Sequence, residues 1–396
     1  MCTAVPHKVL LQSDDIVPTI LNHIADDLTT LFLEGLQHGD YKYHLALVGC
    51  KGDFEWHHEA AVFSRCYAHV GSKNDNEMCP FCLAGGPNYP FTDVGDSPAW
   101  ATTLDASLPW SQTPPLNRVP FSTSRPASLY RCDPFHILKF GFFKDLAACI
   151  LLELCWLGLF DFSVPGELKN ITDRLQRAHA LFRLWCLAEK KSPTIRKFSL
   201  SVLHRKRASR HPFLGGKGAD SVLVLMFLGF YIRLRKPEIS VPDTQRLLSA
   251  MLQTIDGGLT FTGMLQSHNI FMSAYCGRLM HQSGLRVLRG YTFLAARSIQ
   301  QGTHLYALRP KLHYCHHLLI DLERQINGNQ SHDGNQGHDG NQSPVLNPGL
   351  WNCESNEDWI GKVSRLSRKV SPRLISLRTI QRYLVAIRLT LKKHGL

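Results

Sequence analysis

The stretch from 71 to 128 limits the possible folds more than any other part of the chain. Pro87, Pro90, Pro98, Pro109, Pro114, Pro115, Pro120 and Pro126 fall within it, among Gly, Ser, Thr and Asn. Each proline removes a backbone donor and fixes φ, so at this density neither a helix nor a sheet ladder can run through. An irregular insert of this length must be ordered by something other than secondary structure.

Cys79-Pro-Phe-Cys82 lies inside it. The C-x2-C spacing puts two thiolates on a tight turn, as two corners of a zinc tetrahedron. Cys66 and His69 stand just upstream at C-x2-H spacing and complete a candidate Cys3His set that would order the insert. His57 and His58 are the alternative ligands, and Cys66 is then a buried thiol on an apolar helix face. A second ligand-rich run, Arg309-Pro-Lys-Leu-His-Tyr-Cys-His-His317, reads as H-x2-HH with one cysteine. That matches no common zinc spacing and is taken as a basic turn entering a helix with buried histidines.

The rest of the chain has the means to fold. Of its 396 residues 44% are apolar, enough for a sizeable core. Ile20, Leu21, Ile24, Leu28, Leu31, Phe32 and Leu36 recur at helical spacing over 13–39, and Tyr43–Cys50 is an apolar run that reads as a buried strand ending just before Asp53. From Asp133 to about Ala307 the periodicity is mostly helical. Leu146–Phe160 contains Glu153, and Val222–Ile232 is far short of the roughly 20 residues a bilayer needs, so both are expected as buried helices and no membrane span is expected. Residues 328–342 repeat GNQSHD, GNQGHD, GNQ without an apolar residue and read as a disordered, slippage-expanded linker. Twelve scattered cysteines and a start without an apolar leader point to reduced thiols in an intracellular setting.

Charge is the next constraint. The formal net charge is +12 and the pI about 9.2, which favours contact with polyanions without naming one. Residues 174–211 carry eleven Lys/Arg against Glu189 alone, with Arg196, Lys197, Arg205, Lys206, Arg207 and Arg210 as candidate phosphate contacts. Phe182, Trp185 and Phe198 are interleaved there at apolar positions, which favours packing over base stacking. From Trp359 to the end stand ten Lys/Arg and no acid, including Lys362, Arg365, Arg368 and Lys369.

Carboxylates mark three places. Asp53 follows the expected strand. Asp133-Pro-Phe-His136 opens a helix, where Asp133 suits an N-cap and Pro134 the first helical position. Cys353-Glu-Ser-Asn-Glu-Asp358 puts Glu354, Glu357 and Asp358 at another helix start, where acids complement the helix dipole or, alternatively, offer hard oxygens to Mg2+ or Mn2+.

The order of these pieces resembles the CACTA-type DDE transposases, which have an RNase H-like fold interrupted by insertions. The resembling pieces are Gly52-Asp53-Phe54 after a helix and strand, Cys79-Pro-Phe-Cys82, Asp133-Pro-Phe-His-Ile-Leu-Lys139 and a late acid. The resemblance implies Asp53 and Glu357 as catalytic ligands, with Asp358 or Glu354 as neighbours that could replace Glu357, and Asp133 and His136 as a family motif. It implies a mixed α/β, predominantly α fold: a partial RNase H-like core begun by residues 1–60, a zinc-knuckle insert over 61–128, a large helical insertion over 129–325, the linker 326–346 and a basic helical segment 347–396. It implies DNA phosphodiester cleavage and strand transfer with Mg2+ or Mn2+, a nuclear location and room for a homo-oligomer. The family's first catalytic Asp lies on an earlier strand; Asp14 and Asp15 precede a helix and do not match it. Two further readings stay open: a non-catalytic module that binds nucleic acid or protein with structural zinc, and a decayed element copy without function.

Overall fold

The computed structural model describes residue 10 and residues 13–70, 77–162, 164–331, 344–371 and 374–393. The described residues are 60% helix and 4% strand, a predominantly α fold with small sheets. It divides into two units: Met1–Arg65, Ser107–Arg131 and Asn352–Leu396 form the first, Cys66–Ala106 and Cys132–Trp351 the second. The segment 61–128 is thereby shared between the two.

The first unit begins with α1 (Ile16–Leu33), whose apolar spacing was evident from sequence. Arg118, from the turn at Pro115–Arg118, bonds to Asn22 at 2.9 Å and to Asp26 and so ties that turn to α1. Strands β1 (Leu36–His38) and β2 (Tyr41–Tyr43) form an exposed antiparallel hairpin. The strand expected over 43–50 does not form: residues 44–49 have no regular structure, with Leu45 51% and Val48 53% exposed. Apolar content alone gives a strand no partner, and only the two ends of the run find one: Tyr43 opposite Leu36 in the hairpin, and Cys50 farther on. There β3 (Cys50–Lys51) pairs in parallel with β4 (Tyr130–Arg131). Asp53 then caps α2 (Phe54–Ala60). The core beside it is aromatic: Phe63 stacks on Trp110 at 6.2 Å and meets the edge of buried Tyr130 at 5.3 Å. Among the described residues the sheets are two-stranded, and the larger sheet that an RNase H-like core needs is not among them.

The second unit is helical. A π-helix, Phe135–Phe142, leads into α3 (Phe143–Trp156). Gly141 breaks the helical backbone there, and a Cβ on it would lie 2.6 Å from the His136 carbonyl, so the bulge needs glycine. Leu146 through Leu152 are fully buried, so over these two turns α3 is covered on every face and forms a buried rod in the unit. Around it lie α4 (Ile171–Ala188), α5 (Gly218–Arg235), α6 (Pro242–Ser267), α7 (Ala274–Gln301) and α8 (Pro310–Ser331). Strand β5 (Phe271–Met272) pairs antiparallel with β6 (Val345–Leu346). No helix among the described residues is long and apolar enough to cross a membrane. Of the GNQxHD repeat, residues 328–331 end α8 and the rest lies outside the described residues.

Two acids of α3 are buried and partnered. Asp145 pairs with Arg309 at 3.0 Å, and Tyr306 donates to Glu153 at 2.6 Å. Burial pushes the Asp145 carboxyl up to about 6 against the pull of Arg309, and burial also raises Glu153. Phe182, Trp185 and Phe198 are core residues, Phe182 meeting Phe198 at 5.3 Å and Phe227 at 5.5 Å.

The chain then returns to the first unit with α9 (Glu354–Ser367) and α10 (Ile375–Lys393), joined through an edge contact of Trp359 with Tyr383 at 5.3 Å.

Candidate metal centre

The CPFC turn is built by local bonds. Met78 N donates to Ala84 O at 2.8 Å, closing a loop over Cys79–Cys82, and Leu83 N donates to Thr103 Oγ1 at 3.0 Å. Tyr314 on α8 donates its hydroxyl to Met78 O at 2.9 Å, which fixes the turn against that helix. His313 and His317 stand one turn apart on the same face of α8 and so point at the same place.

The result is a buried group of four: Cys79, Cys82, His313 and His317, with ligand atoms all within 4.8 Å of one another. Cys79 Sγ lies 3.2 Å from His317 Nε2, Cys82 Sγ lies 3.5 Å from both His313 Nε2 and His317 Nε2, and the two Nε2 atoms are 3.0 Å apart. A tetrahedral zinc site with ordinary bond lengths has S···N edges of about 3.6 Å and N···N edges of about 3.4 Å. The four atoms therefore already outline a tetrahedron close to the size zinc requires. The donor set suits zinc, two soft thiolates and two imidazoles, and with four protein ligands it leaves no open position for a reacting water.

The electrostatics favour a negative site. Burial raises the Cys79 thiol, and the neighbouring Cys82 raises it further. Cys82 is also raised by burial, but hydrogen bonds with Cys79, His313 and His317 outweigh this and hold it well below the ordinary thiol range. Burial lowers His313 to about 4, so its ring is neutral and its lone pair free for a metal. Trp100, fully buried, walls the group, its ring 4.3 Å from His313 and 5.0 Å from His317, and Phe81 lies 5.3 Å from His317. Trp100 donates Nε1–H to Asp93 O at 2.7 Å, and Arg324 of α8 pairs with Asp105 at 3.0 Å. The four-residue group and these bonds tie residues 77–106 of the proline-rich stretch to α8.

Cys79 and Cys82 stand where their spacing placed them, but Cys66 and His69 are not in the group. His69 directs Nδ1 to Glu77 O at 3.0 Å, and Cys66 is buried beside the short turn Tyr67–His69. His57 and His58 belong to the first unit and are not in it either. The missing signal was H-x3-H, His313 to His317, within the range that C-x2-C sites use. His316 hid it: this third histidine faces Trp100 at 5.2 Å and stands outside the group.

In the first unit, carboxylate oxygens of Asp53 and Glu357 lie within 4.8 Å of one another. Asp53 accepts from Trp56 N at 2.8 Å, and Glu357 is exposed in the first turn of α9. Asp358 is exposed and stands outside the group, and Glu354 begins the helix. Asp133 acts as a cap: it accepts from Phe135 N at 2.9 Å and His136 N at 3.3 Å, and its carboxylate also meets the His136 ring.

Of the predicted DNA contacts, Arg196, Lys197, Lys206, Arg207 and Arg210 are exposed in the second unit, and Lys362, Arg365, Arg368 and Lys369 are exposed in the first. Arg205 is a correction. Its guanidinium is buried and bonds to the carbonyls of Thr303 at 2.8 Å and His304 at 3.0 Å, so it braces a loop and is not available to phosphate. No protein-family model, no curated protein and no solved structure matches the chain.

Proposed function

We propose that the chain is a transposon-derived DNA-binding protein of the DDE transposase kind, braced by structural zinc and short of the ligands needed to cut DNA. The observation that carries this reading is the meeting of Asp53 and Glu357, acids from opposite ends of the chain whose oxygens come within 4.8 Å in one unit. The motif order singles out these two residues as metal ligands. Their hard oxygens suit Mg2+ or Mn2+.

Strand transfer needs both the attacking and leaving oxygens held by metal. Asp14 and Asp15 sit exposed at the start of α1 and do not match the family's first catalytic Asp. The exposed basic residues retain phosphate binding, and a nuclear location accords with it. A non-catalytic binding module is the second reading, favoured by the bond that commits the Asp53 carboxylate to capping α2. Both readings give salt-sensitive DNA binding.

The test is nicking of a labelled DNA end by the purified chain with Mg2+ or Mn2+, beside Asp53→Ala and Glu357→Ala and a salt titration of binding. Binding without nicking is expected. Nicking that both substitutions abolish would mean the carboxylate set is complete and the deficiency argument wrong.

A further inference from the structure

Between α6 and α7 runs an open groove of about 810 Å³, lined by none of the metal-centre residues or basic residues already named. Ala250 and Gly290 are among its lining residues. A Cβ at Gly290 would lie 2.0 Å from Thr254 Oγ1, so the absence of a side chain lets the two helices approach at this point. Long polar side chains rise on either side. Arg246 and Gln253 come from α6; Gln282, Arg286 and Arg289 come from α7, and all five are exposed. Phe293, two turns beyond Arg286, lines the same groove and is 49% exposed. Along α7 this row extends about 16 Å from Gln282 to Phe293 at the helical rise per residue.

The charges are incompletely matched. Arg246 and Arg286 form no ion pair among the described residues. Arg289 pairs with Asp96 at 2.7 Å, with both side chains about 60% exposed, and such a pair is cheaply exchanged for another anion. Asp243 lies near Arg246 but is engaged by Arg297 at 2.7 Å. The groove thus presents guanidinium forks and amide donors in a row, beside an aromatic face open to solvent. Guanidinium forks suit phosphate or carboxylate; the exposed ring beside them favours a ligand with stacking bases.

We propose that this groove holds the phosphate backbone of a single DNA strand, with Phe293 offering a stacking face to its bases. The inference rests on the DNA-binding reading above and assigns a place to it.

The test measures binding of a labelled single-stranded oligonucleotide by the full chain over a range of salt. The variants are Arg246→Ala with Arg286→Ala, Phe293→Ala, and Lys206→Ala with Arg207→Ala as a comparison. All replaced side chains are exposed, so circular dichroism should be unchanged. The double groove variant should weaken binding about tenfold or more and reduce the log–log salt slope by about 1.4, the share of two phosphates on a single strand. Phe293→Ala should weaken binding about fivefold or more without changing that slope. A groove variant indistinguishable from wild type, while Lys206→Ala with Arg207→Ala loses affinity, overturns the groove and leaves the DNA reading standing. No DNA binding by wild type overturns both. Tighter binding of poly-glutamate than of DNA, lost in the groove variant, overturns it in favour of an acidic protein.

Discussion

Single side chains decide both the metal centre and the acid–base behaviour of the helical unit. His313→Ala or His317→Ala removes one corner of a four-cornered site, so metal content should fall from one zinc per chain to near none, whereas Cys66→Ser and His69→Ala should leave it intact. Trp100 acts by packing: Trp100→Ala empties a fully buried aromatic site and should cost roughly 3–5 kcal/mol in a denaturant titration. Asp145 gives a pH signature. Its folded value of about 6 lies above the ordinary carboxylate value, so the folded state binds the extra proton between roughly pH 4 and 6. Stability from this group is therefore greatest below about pH 4 and declines as pH rises to about 6, by about 3 kcal/mol for a shift of about two units. Asp145→Asn should remove that decline, read as a flatter stability difference between pH 4 and pH 7. An equal pH dependence in wild type and variant would contradict this account of the buried carboxyl. At this scale spacing revealed only local partners: Cys79 and Cys82 announce each other across two residues. Nothing local connects them with His313 and His317, which arrive from α8, and the intervening His316 obscured the helical pair.

At the scale of elements, periodicity was informative where one face is buried and misleading where an apolar run lacked a partner. The rows at Ile20, Leu21, Ile24 and Leu28 became α1, and Leu146–Phe160 became mainly the buried rod α3. The run Tyr43–Cys50 looked equally strand-like, yet strands exist by pairing, and β4 meets only its last residue and the lysine that follows. Close helix packing is the other element-scale property that composition conceals. Gly290 faces Thr254, which is fully buried and bonds to Ala250 O at 2.8 Å, so its side chain has little freedom to yield. Gly290→Ala should therefore force α6 and α7 apart at a cost of about 1–3 kcal/mol, measurable as a lowered thermal midpoint. An unchanged midpoint would mean the helices do not depend on that contact.

For the whole molecule, composition gave the sign of the charge and the size of the core, but not the division of the chain. The proline-rich stretch reads as one insert, yet 66–106 belongs with the helices and 107–131 with the N-terminal segment, because contacts made far along the chain determine which unit each joins. Helices α3 to α7 have a core of their own, so removing zinc with a chelator should leave most of the helical signal in circular dichroism. The stretch 77–106 has no regular helix longer than a 3-10 turn and relies on the metal centre, Trp100 and a few hydrogen bonds and ion pairs. Limited proteolysis after chelation should cut there first. The most direct measurement is the zinc content of purified chain by elemental analysis, for wild type, Cys79→Ser, His313→Ala, His317→Ala and the pair Cys66→Ser with His69→Ala. One zinc per chain is expected in wild type and in the Cys66/His69 variant, and almost none in the other three. Zinc kept by His313→Ala and His317→Ala but lost with Cys66 and His69 would contradict it.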